Sequence, residues 1–140
     1  FVGEPETIDT TIIETICAAG MIPVIAPIGI GADGETYNIN ADTMAGAIAG
    51  AIGAARLFLL TDVHGVLDKQ GNLLTDLTPA DIAVLQSDGT ISGGMIPKLE
   101  TCVHAVEAGC EAAVVLDGRV SHAMLLEMFT SRGAGTLIRA

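Results

Sequence analysis

Two kinds of apolar pattern alternate along the chain and predict its secondary structure. Continuously apolar short runs are typical of buried strands, whereas apolar residues that recur every three or four positions are typical of amphipathic helices. The predicted strands are residues 21–28, 56–62, 112–117 and 135–139. The predicted helices run from near Pro5 to Gly20, from near Asn40 to Gly53 or Ala54, and over residues 78–86, 93–109 and 121–129. This alternation predicts an α/β fold, with a mostly parallel sheet and helices on both faces.

Polar and glycine-rich segments predict caps and turns between these elements. Asn40, Thr78 and Ser121 are the predicted helix N-caps. Residues 29–34 match the G-x-G-x-x-G spacing of dinucleotide-binding loops, but they do not lead directly into a helix, so we interpret them as a polar hairpin. Residues 68–72 predict a tight turn. The P-loop spacing G-x-x-x-x-G-K-[ST] is absent from the sequence, which excludes a P-loop mechanism.

Length and composition favour one domain. The chain has 140 residues, of which 50% are apolar and 3% are aromatic. This length suits a single core, and small aliphatic residues suit helices packed closely on a sheet. The chain starts without an initiator Met or a signal sequence, so we expect residues 1–140 to be a single domain of a longer polypeptide.

The charge distribution disfavours polyanionic partners. The formal net charge is −11, and residues 1–55 contain no Lys or Arg. Nucleic acids and anionic membranes bind mainly Lys and Arg, so we expect neither as a partner. The most apolar window, residues 41–60, contains Asp42 and Arg56, which disfavours a membrane span. Gly46 and Gly50 in this window predict close packing of a helix on a sheet.

Cysteine usage predicts a reduced, cytoplasmic protein without a metal site. Cys17, Cys102 and Cys110 are odd in number and lack C-x-x-C spacing, so no disulfide is expected. Cys102 and His104 diverge around a helix, and no fourth ligand is evident for zinc. We therefore expect Cys102, His104 and Cys110 to pack in the core.

The ends of the predicted strands are the first candidate sites for a ligand. In open α/β sheets, ligands gather at the carboxyl ends of the strands. Those ends are residues 27–29, 61–65 and 117–118. Residues 61–67 place a carboxylate and a small-residue turn at such an end.

Two further segments carry candidate chemistry. Asn38, Asn40 and Asp42 crowd a helix start, where they can orient a ligand or simply cap the helix. Residues 88–98 supply glycine amides, a helix N-terminus and Lys98, all suited to anionic oxygens. The apolar neighbours of Lys98 predict that the aliphatic part of its side chain is packed and that its ammonium group is held in one direction.

Four segments together resemble the C-terminal, nucleotide-binding half of the N-acetylglutamate kinases, a branch of the amino acid kinase family. They are residues 34–54, 57–68, 88–100 and 116–138. The resemblance spans essentially the whole chain and implies the amino acid kinase fold, of which this chain would be the C-terminal lobe. It also implies phosphorylation of the side-chain carboxylate of N-acetyl-L-glutamate by MgATP, a step of arginine biosynthesis that yields an acyl phosphate.

The resemblance implies a role for each matching residue. Lys98 would stabilise the transferring phosphoryl group, Asp42 would organise the active-site lysines, and Asn38 would bind acetylglutamate. The residues implied to border ATP are Thr61, Asp62, Val63, His64, Gly65, Val66, Leu67, Thr90, Ile91 and Ser92. No side chain is expected to hold Mg²⁺, which phosphates and water would carry.

The resemblance also implies what lies outside this chain. The family's N-terminal half supplies a glycine-rich phosphate loop, a second lysine, a substrate arginine and the usual dimer surface, none of which has a counterpart here. We therefore expect the chain alone to be inactive but able to bind adenine nucleotide, and the full-length enzyme to be a cytoplasmic homo-oligomer.

The C-terminal region resembles the arginine-effector site of feedback-inhibited members. Glu127 and Gly133 occupy the matching contact positions, whereas Val114 stands where such members commonly have histidine. A solvated helix face is the simpler interpretation of Glu127. Two alternatives stay open for the whole chain: another amino acid kinase (glutamate 5-kinase, carbamate kinase or uridylate kinase), or a non-catalytic module that binds nucleotide or arginine.

Overall fold

A computed structural model describes residues 2–130 and 133–140. Ser131 and Arg132, within the predicted effector region, lie outside these residues. The strands are β1 (Val2–Gly3), β2 (Ile28–Ile30), β3 (Thr36–Ile39), β4 (Leu57–Thr61), β5 (Asp76–Leu77), β6 (Ala113–Asp117) and β7 (Gly135–Ile138). The helices are α1 (Thr11–Ala18), α2 (Ala41–Ala51), α3 (Pro79–Ser87), α4 (Met95–Glu107) and α5 (Ala123–Phe129).

The main sheet has the strand order β4-β6-β7-β5. β4 and β6 are parallel, as are β5 and β7, whereas β6 and β7 are antiparallel. Alternate residues of β6 face opposite sides: Val115 packs with α4, and Val114 and Leu116 pack with Ala123 of α5. The α/β class and the helices on both faces are confirmed, although the strands divide between two mixed sheets.

The smaller sheet has the order β1-β3-β2, in which β2 and β3 form an antiparallel hairpin. The hairpin loop is closed by the Gly31 N–H, which donates to the Glu35 carbonyl at 2.8 Å, and Gly34 adopts a φ of +85°. The prediction of a polar hairpin at residues 29–34 is therefore confirmed. β3 leads directly into α2.

Close packing of α2 on α4 positions the candidate site. Gly46 and Gly50 of α2 are buried, and a Cβ atom at Gly46 would lie 2.7 Å from Thr101 Cγ2. At Gly50, a Cβ atom would lie 2.6 Å from Ala108 Cβ. The predicted role of these glycines in close packing is correct, but their partner is a helix rather than a sheet.

The predictions for the first 30 residues are largely wrong. α1 begins at Thr11 rather than near Pro5, and residues 21–27 form no strand. Ile22 and Val24 are 90% and 96% exposed, so this apolar run is not a buried strand. A buried strand needs neighbours on both faces, whereas in the described residues this run faces only α2, with which Pro23, Ile25 and Pro27 line a cavity.

Other element boundaries differ less from the prediction. Thr78 caps α3, as predicted, and it also exchanges hydrogen bonds with Asp81. The predicted Ser121 cap is wrong: α5 starts one residue later, after His122, whose φ of 60° is left-handed. The longest described helix has 13 residues, and none combines the length and hydropathy of a membrane span.

Candidate functional site

The first turn of α2 and the first turn of α4 meet at the candidate site. The Asn40 side chain accepts hydrogen bonds from the backbone N–H groups of Asp42 and Thr43, at 2.9 and 3.2 Å, and so caps α2. This cap confirms the predicted helix start and fixes Asp42 in the first turn. In α4, Lys98 lies in the first turn, next to Leu99, which is completely buried.

The structure brings the two predicted catalytic side chains together. Lys98 Nζ donates to Asp42 Oδ2 at 2.7 Å, although the residues are 56 positions apart in sequence. The side chains are 26% and 33% exposed, so the pair is partly shielded but open to a ligand. Met95 and Ile96 pack against the core beside Lys98, as predicted from the apolar flanks.

Asn38 lies on the strand that leads into this site. It is exposed on β3, paired in register with Ile28 on one side and Val2 on the other. It precedes Asp42 by four residues, so the turn from β3 into α2 connects the predicted substrate residue with the Lys98 pair.

The predicted nucleotide segment, residues 61–67, begins at Thr61, the last residue of β4. The Val66 N–H donates to Thr136 Oγ1 at 2.8 Å, and Thr136 Oγ1 donates to the Leu74 carbonyl at 2.7 Å. Gly65 has a φ of +136°, and a Cβ atom there would lie 2.6 Å from Thr136 Oγ1. Only glycine suits this position, which fixes the path of the segment. The following residues, 68–72, form the predicted tight turn around the Asp68 carboxylate.

The second predicted nucleotide segment, Thr90–Ser92, lies between α3 and α4. Asp88 holds it through hydrogen bonds from the Thr90 backbone N–H and hydroxyl, at 2.9 and 2.6 Å. Asp88 also forms an ion pair with Lys69, in which Lys69 Nζ lies 3.3 Å from Asp88 Oδ2. This pair joins the loop to the turn after the first segment. Ile91 is buried in the same cluster as Val66. The structure therefore brings the two predicted segments together.

A charged cluster lies at the end of β6, where residues 117–118 were predicted as a candidate ligand position but the pairing of Asp117 with Arg119 and His64 was not. Asp117 is 3% exposed, and its carboxylate accepts from Arg119 Nε at 2.9 Å and from Arg119 Nη2 at 2.8 Å. His64 Nδ1 lies 3.4 Å from the same carboxylate. The side-chain hydrogen bonds from Arg119 hold the pKa of Asp117 well below its ordinary value. Asp117 is the last residue of an apolar strand, and this signal placed residues 117–118 among the candidates.

The cysteines are free thiols in two environments. Cys17 is exposed, whereas Cys102 and Cys110 are buried, and burial raises the pKa of Cys102 to about 12. The expected core packing is confirmed for these two, but His104 is exposed. In the described part of the chain, no group of three or more His, Cys, Asp or Glu side chains is arranged to hold a metal ion.

The two predicted effector residues line one cavity of about 560 Å³ on the α5 side of the main sheet. Glu127 Oε2 accepts from the backbone N–H groups of Ala134 and Gly135, at 2.5 and 3.2 Å. Glu127 is half-buried, so its interpretation as a solvated helix face is wrong. Val114 is completely buried and packs in the core.

A larger cavity, of about 930 Å³, lies elsewhere. It is formed by the N-terminal segment, the β2–β3 hairpin and Met44 and Ile48 of α2. Neither Lys98 nor either predicted nucleotide segment lines it. This cavity is therefore separate from the site around Lys98, although it is larger than the cavity beside Glu127.

A sequence model of the amino acid kinase family matches residues 1–117. The chain belongs to this family. Among its relatives, the acetylglutamate kinase of Novosphingobium aromaticivorans is 85% identical over 140 residues, which are all of this chain and 46% of that protein. Acetylglutamate kinase of Erythrobacter litoralis is 82% identical over the same length, which is 47% of that protein. The chain thus spans about half the length of the curated relatives it matches.

Solved structures agree with the family assignment. N-acetylglutamate synthase from Neisseria gonorrhoeae, complexed with coenzyme A and L-arginine, has a TM-score of 0.88 and 26% identity, over 99% of this chain and 32% of that one. The amino acid kinase fold predicted from the sequence is therefore confirmed.

Proposed function

We propose that this chain is the C-terminal, nucleotide-binding lobe of an N-acetylglutamate kinase. The enzyme would transfer the γ-phosphoryl group of MgATP to the side-chain carboxylate of N-acetyl-L-glutamate. The observation that carries this proposal is the ion pair of Lys98 with Asp42, at 2.7 Å, in a chain that is 85% identical to an acetylglutamate kinase.

Lys98 is the proposed stabiliser of the transferring phosphoryl group. The acceptor carboxylate is already a nucleophile, so the reaction needs positioning and positive charge rather than a general base. Two unit charges 4 Å apart attract by about 4 kcal/mol at an effective dielectric constant near 20. An ammonium group at that distance from the γ-phosphate would therefore offset much of the repulsion between the two anionic reactants.

Asp42 is the proposed positioning partner of Lys98. The Asn40 cap fixes the helix turn that carries Asp42, and the Asp42 carboxylate fixes the direction of the lysine. Asn38, on the strand before this turn, is the proposed contact to acetylglutamate.

The proposed ATP site lies between the two loops that Lys69 and Asp88 join. One contains Thr61–Leu67 and the other contains Thr90–Ser92, which leads into the N-terminus of α4. At that N-terminus the Met95 and Ile96 N–H groups already donate to the carbonyls of Ser92 and Gly93, at 3.4 and 3.2 Å, so the helix dipole and Lys98 would attract the phosphate oxygens. Both loops are tied into the core through Val66 and Ile91, which supports a preformed site.

The residues present fit a magnesium ion that arrives with the nucleotide. Asp42 and Asp117 are each engaged by a cationic side chain, and residues 2–130 and 133–140 contain no cluster of metal-binding side chains. Phosphate oxygens and water would therefore hold the ion, which when bound supplies charge neutralisation on the transferring group.

Catalysis is proposed to need more than these 140 residues, because the chain covers 46% of its 85%-identical relative. The test is a completed enzyme, in which the remaining part of that relative is joined to residues 1–140. We expect acetylglutamate-dependent release of ADP from the completed enzyme and none from the chain alone. Turnover by the chain alone would refute the second expectation, and a completed enzyme that is folded but inactive would refute the proposed activity.

The acceptor distinguishes this proposal from its closest alternatives. A glutamate 5-kinase, carbamate kinase or uridylate kinase would use glutamate, carbamate or UMP in the same assay. Of these four acceptors, we expect only acetylglutamate to support turnover. A non-catalytic module would bind nucleotide, but its Lys98→Ala and Asp42→Asn variants would behave like the unsubstituted protein.

A second proposal concerns regulation: the cavity beside Glu127 binds L-arginine. The cavity is lined by Glu111 and Glu127, whose carboxylates suit a guanidinium and an α-amino group, and also by Arg56 and by Asp76, which is paired with Arg139. The Neisseria synthase of similar fold was solved with L-arginine. Calorimetric titration of the completed enzyme with L-arginine tests this proposal, with Glu127→Gln as the weakened variant and Glu107→Gln, on α4, as the control. No heat of binding at millimolar arginine would refute it.

A further inference from the structure

We propose that Arg119, held in place by Asp117, binds the phosphate groups of the nucleotide as a second cation beside Lys98. This inference rests on the proposed nucleotide-binding function. It concerns the charged cluster at the end of β6, where Arg119, Asp117 and His64 meet.

Arg119 lies at the same edge of the main sheet as the predicted nucleotide segment. Thr61, the last residue of β4, is in register with Asp117, the last residue of β6. The Gly118 N–H donates to the Thr61 carbonyl at 2.9 Å, which ties the turn that carries Arg119 to the start of that segment. His64, inside the segment, lies within 3.4 Å of the carboxylate that holds Arg119.

Lys98 belongs to this edge as well. α4 packs on β6 and is followed by it, so we infer that α4 runs back from the carboxyl edge of the sheet to the amino edge, with its first turn towards the end of β6. Arg56 immediately precedes β4, and Arg139 follows β7, which is antiparallel to β6. These two arginines therefore lie at the opposite edge and serve as internal controls.

The guanidinium of Arg119 is oriented but not saturated. Asp117 receives bonds from Nε and Nη2, and also from the Arg119 backbone N–H at 3.0 Å. A guanidinium has five N–H donors, so the outer ones, on Nη1 and Nη2, stay available. The Arg119 side chain is 66% exposed, whereas that of Asp117 is 4% exposed. The buried carboxylate therefore fixes the fork while its outer side faces solvent.

A fixed arginine fork suits phosphate better than a mobile cation does. Bidentate bonds to phosphate oxygens are directional, and a side chain that is already ordered loses less entropy when it binds. The need for cations is acute in a chain of net charge −11, where a nucleotide that carries several negative charges meets mostly carboxylates.

The test compares ligands that differ only in phosphate. Dissociation constants for ADP, AMP and adenosine are measured by calorimetry on the completed enzyme, unsubstituted and with Arg119→Gln. We expect the constant for ADP to rise about ten- to a hundredfold, that for AMP to rise less, and that for adenosine to stay unchanged. The Arg119→Lys variant keeps the positive charge but not the forked geometry. Its dissociation constant for ADP should lie between those of the unsubstituted enzyme and Arg119→Gln.

Arg139→Gln is the matched control. Arg139 pairs with Asp76 through the same two nitrogens, at 3.2 and 2.6 Å, and is similarly exposed. It should leave all three constants unchanged.

The possible failures are distinguishable. Equal weakening of ADP and adenosine by Arg119→Gln would assign Arg119 a purely structural role and overturn the inference, as would no change for ADP. Should Arg119→Gln fail to fold, Arg119→Lys decides by the same comparison. An unsubstituted enzyme that binds no adenine nucleotide would overturn the proposed function, and this inference with it.

Discussion

The contact between α2 and α4 can be tested by adding one methyl group at Gly46. A Cβ atom there would lie 2.7 Å from Thr101 Cγ2 and 3.3 Å from the Thr101 carbonyl oxygen. In a helix interior, alanine is more favourable than glycine by about 1 kcal/mol, whereas overpacking costs about 1–3 kcal/mol. We therefore expect Gly46→Ala to lower the free energy of unfolding by up to about 2 kcal/mol.

A double-mutant cycle identifies the cause. Thr101→Ala removes the methyl group that the new Cβ would meet, so Gly46→Ala should be less destabilising in that background by about 1 kcal/mol or more. Gly50→Ala is the control, because its Cβ would meet Ala108 instead, and Thr101→Ala should not rescue it. The assay is urea unfolding with linear extrapolation. Stabilisation by Gly46→Ala alone, as at an open helical position, would refute the close contact.

Further predictions concern charge and thiol chemistry. Lys98→Ala in the completed enzyme should lower kcat by about 10²–10³ with a smaller change in KM, and unchanged turnover would exclude Lys98 from the chemistry. Because the pKa of Asp117 is lowered in the folded state, its stabilising effect is present above pH 3.8 and is lost as the pH falls through the folded pKa. Between pH 5 and pH 3, the free energy of unfolding measured with urea should therefore fall more for the unsubstituted chain than for Asp117→Asn. Equal losses for the two proteins would contradict this role of Asp117. A thiol reagent at pH 8 should label Cys17 rapidly and Cys102 only after unfolding, since burial raises the pKa of Cys102 to about 12; equal rates would refute that burial.

Features set by neighbouring residues could be predicted from the sequence. The capping pair of Thr78 and Asp81, the Asn40 cap and the β2–β3 hairpin all depend on contacts within a few positions. The buried strand β6 was also predictable, because its unbroken apolar run has helices available for both faces.

Features set by distant residues were harder to predict. The apolar run at 21–28 suggests burial, but burial depends on which surfaces are present to cover it, and the sequence of the run does not specify them. The same limit hid the contact of Asp117 with His64, because the approach of His64 depends on the register of β4 with β6. The pairing of Lys98 with Asp42 was predicted through the family resemblance, and its physical basis is the closeness of α2 and α4 that Gly46 permits.

The two cations at the carboxyl edge of the sheet illustrate a compromise between orientation and charge. Each is ion-paired with one carboxylate, which fixes its direction but cancels its charge at long range, and the Asp62 carboxylate adds a further negative charge near Arg119. Such a pair attracts a phosphate only at short distance, where the ligand lies nearer to the cation than to the carboxylate behind it. Asp117 meets this condition better than Asp42, because Asp117 is buried beneath an exposed guanidinium, whereas Asp42 and Lys98 are exposed to similar extents. Arg119 is therefore suited to hold the nucleotide, and Lys98 is suited to a charge that develops only as the phosphoryl group moves towards it.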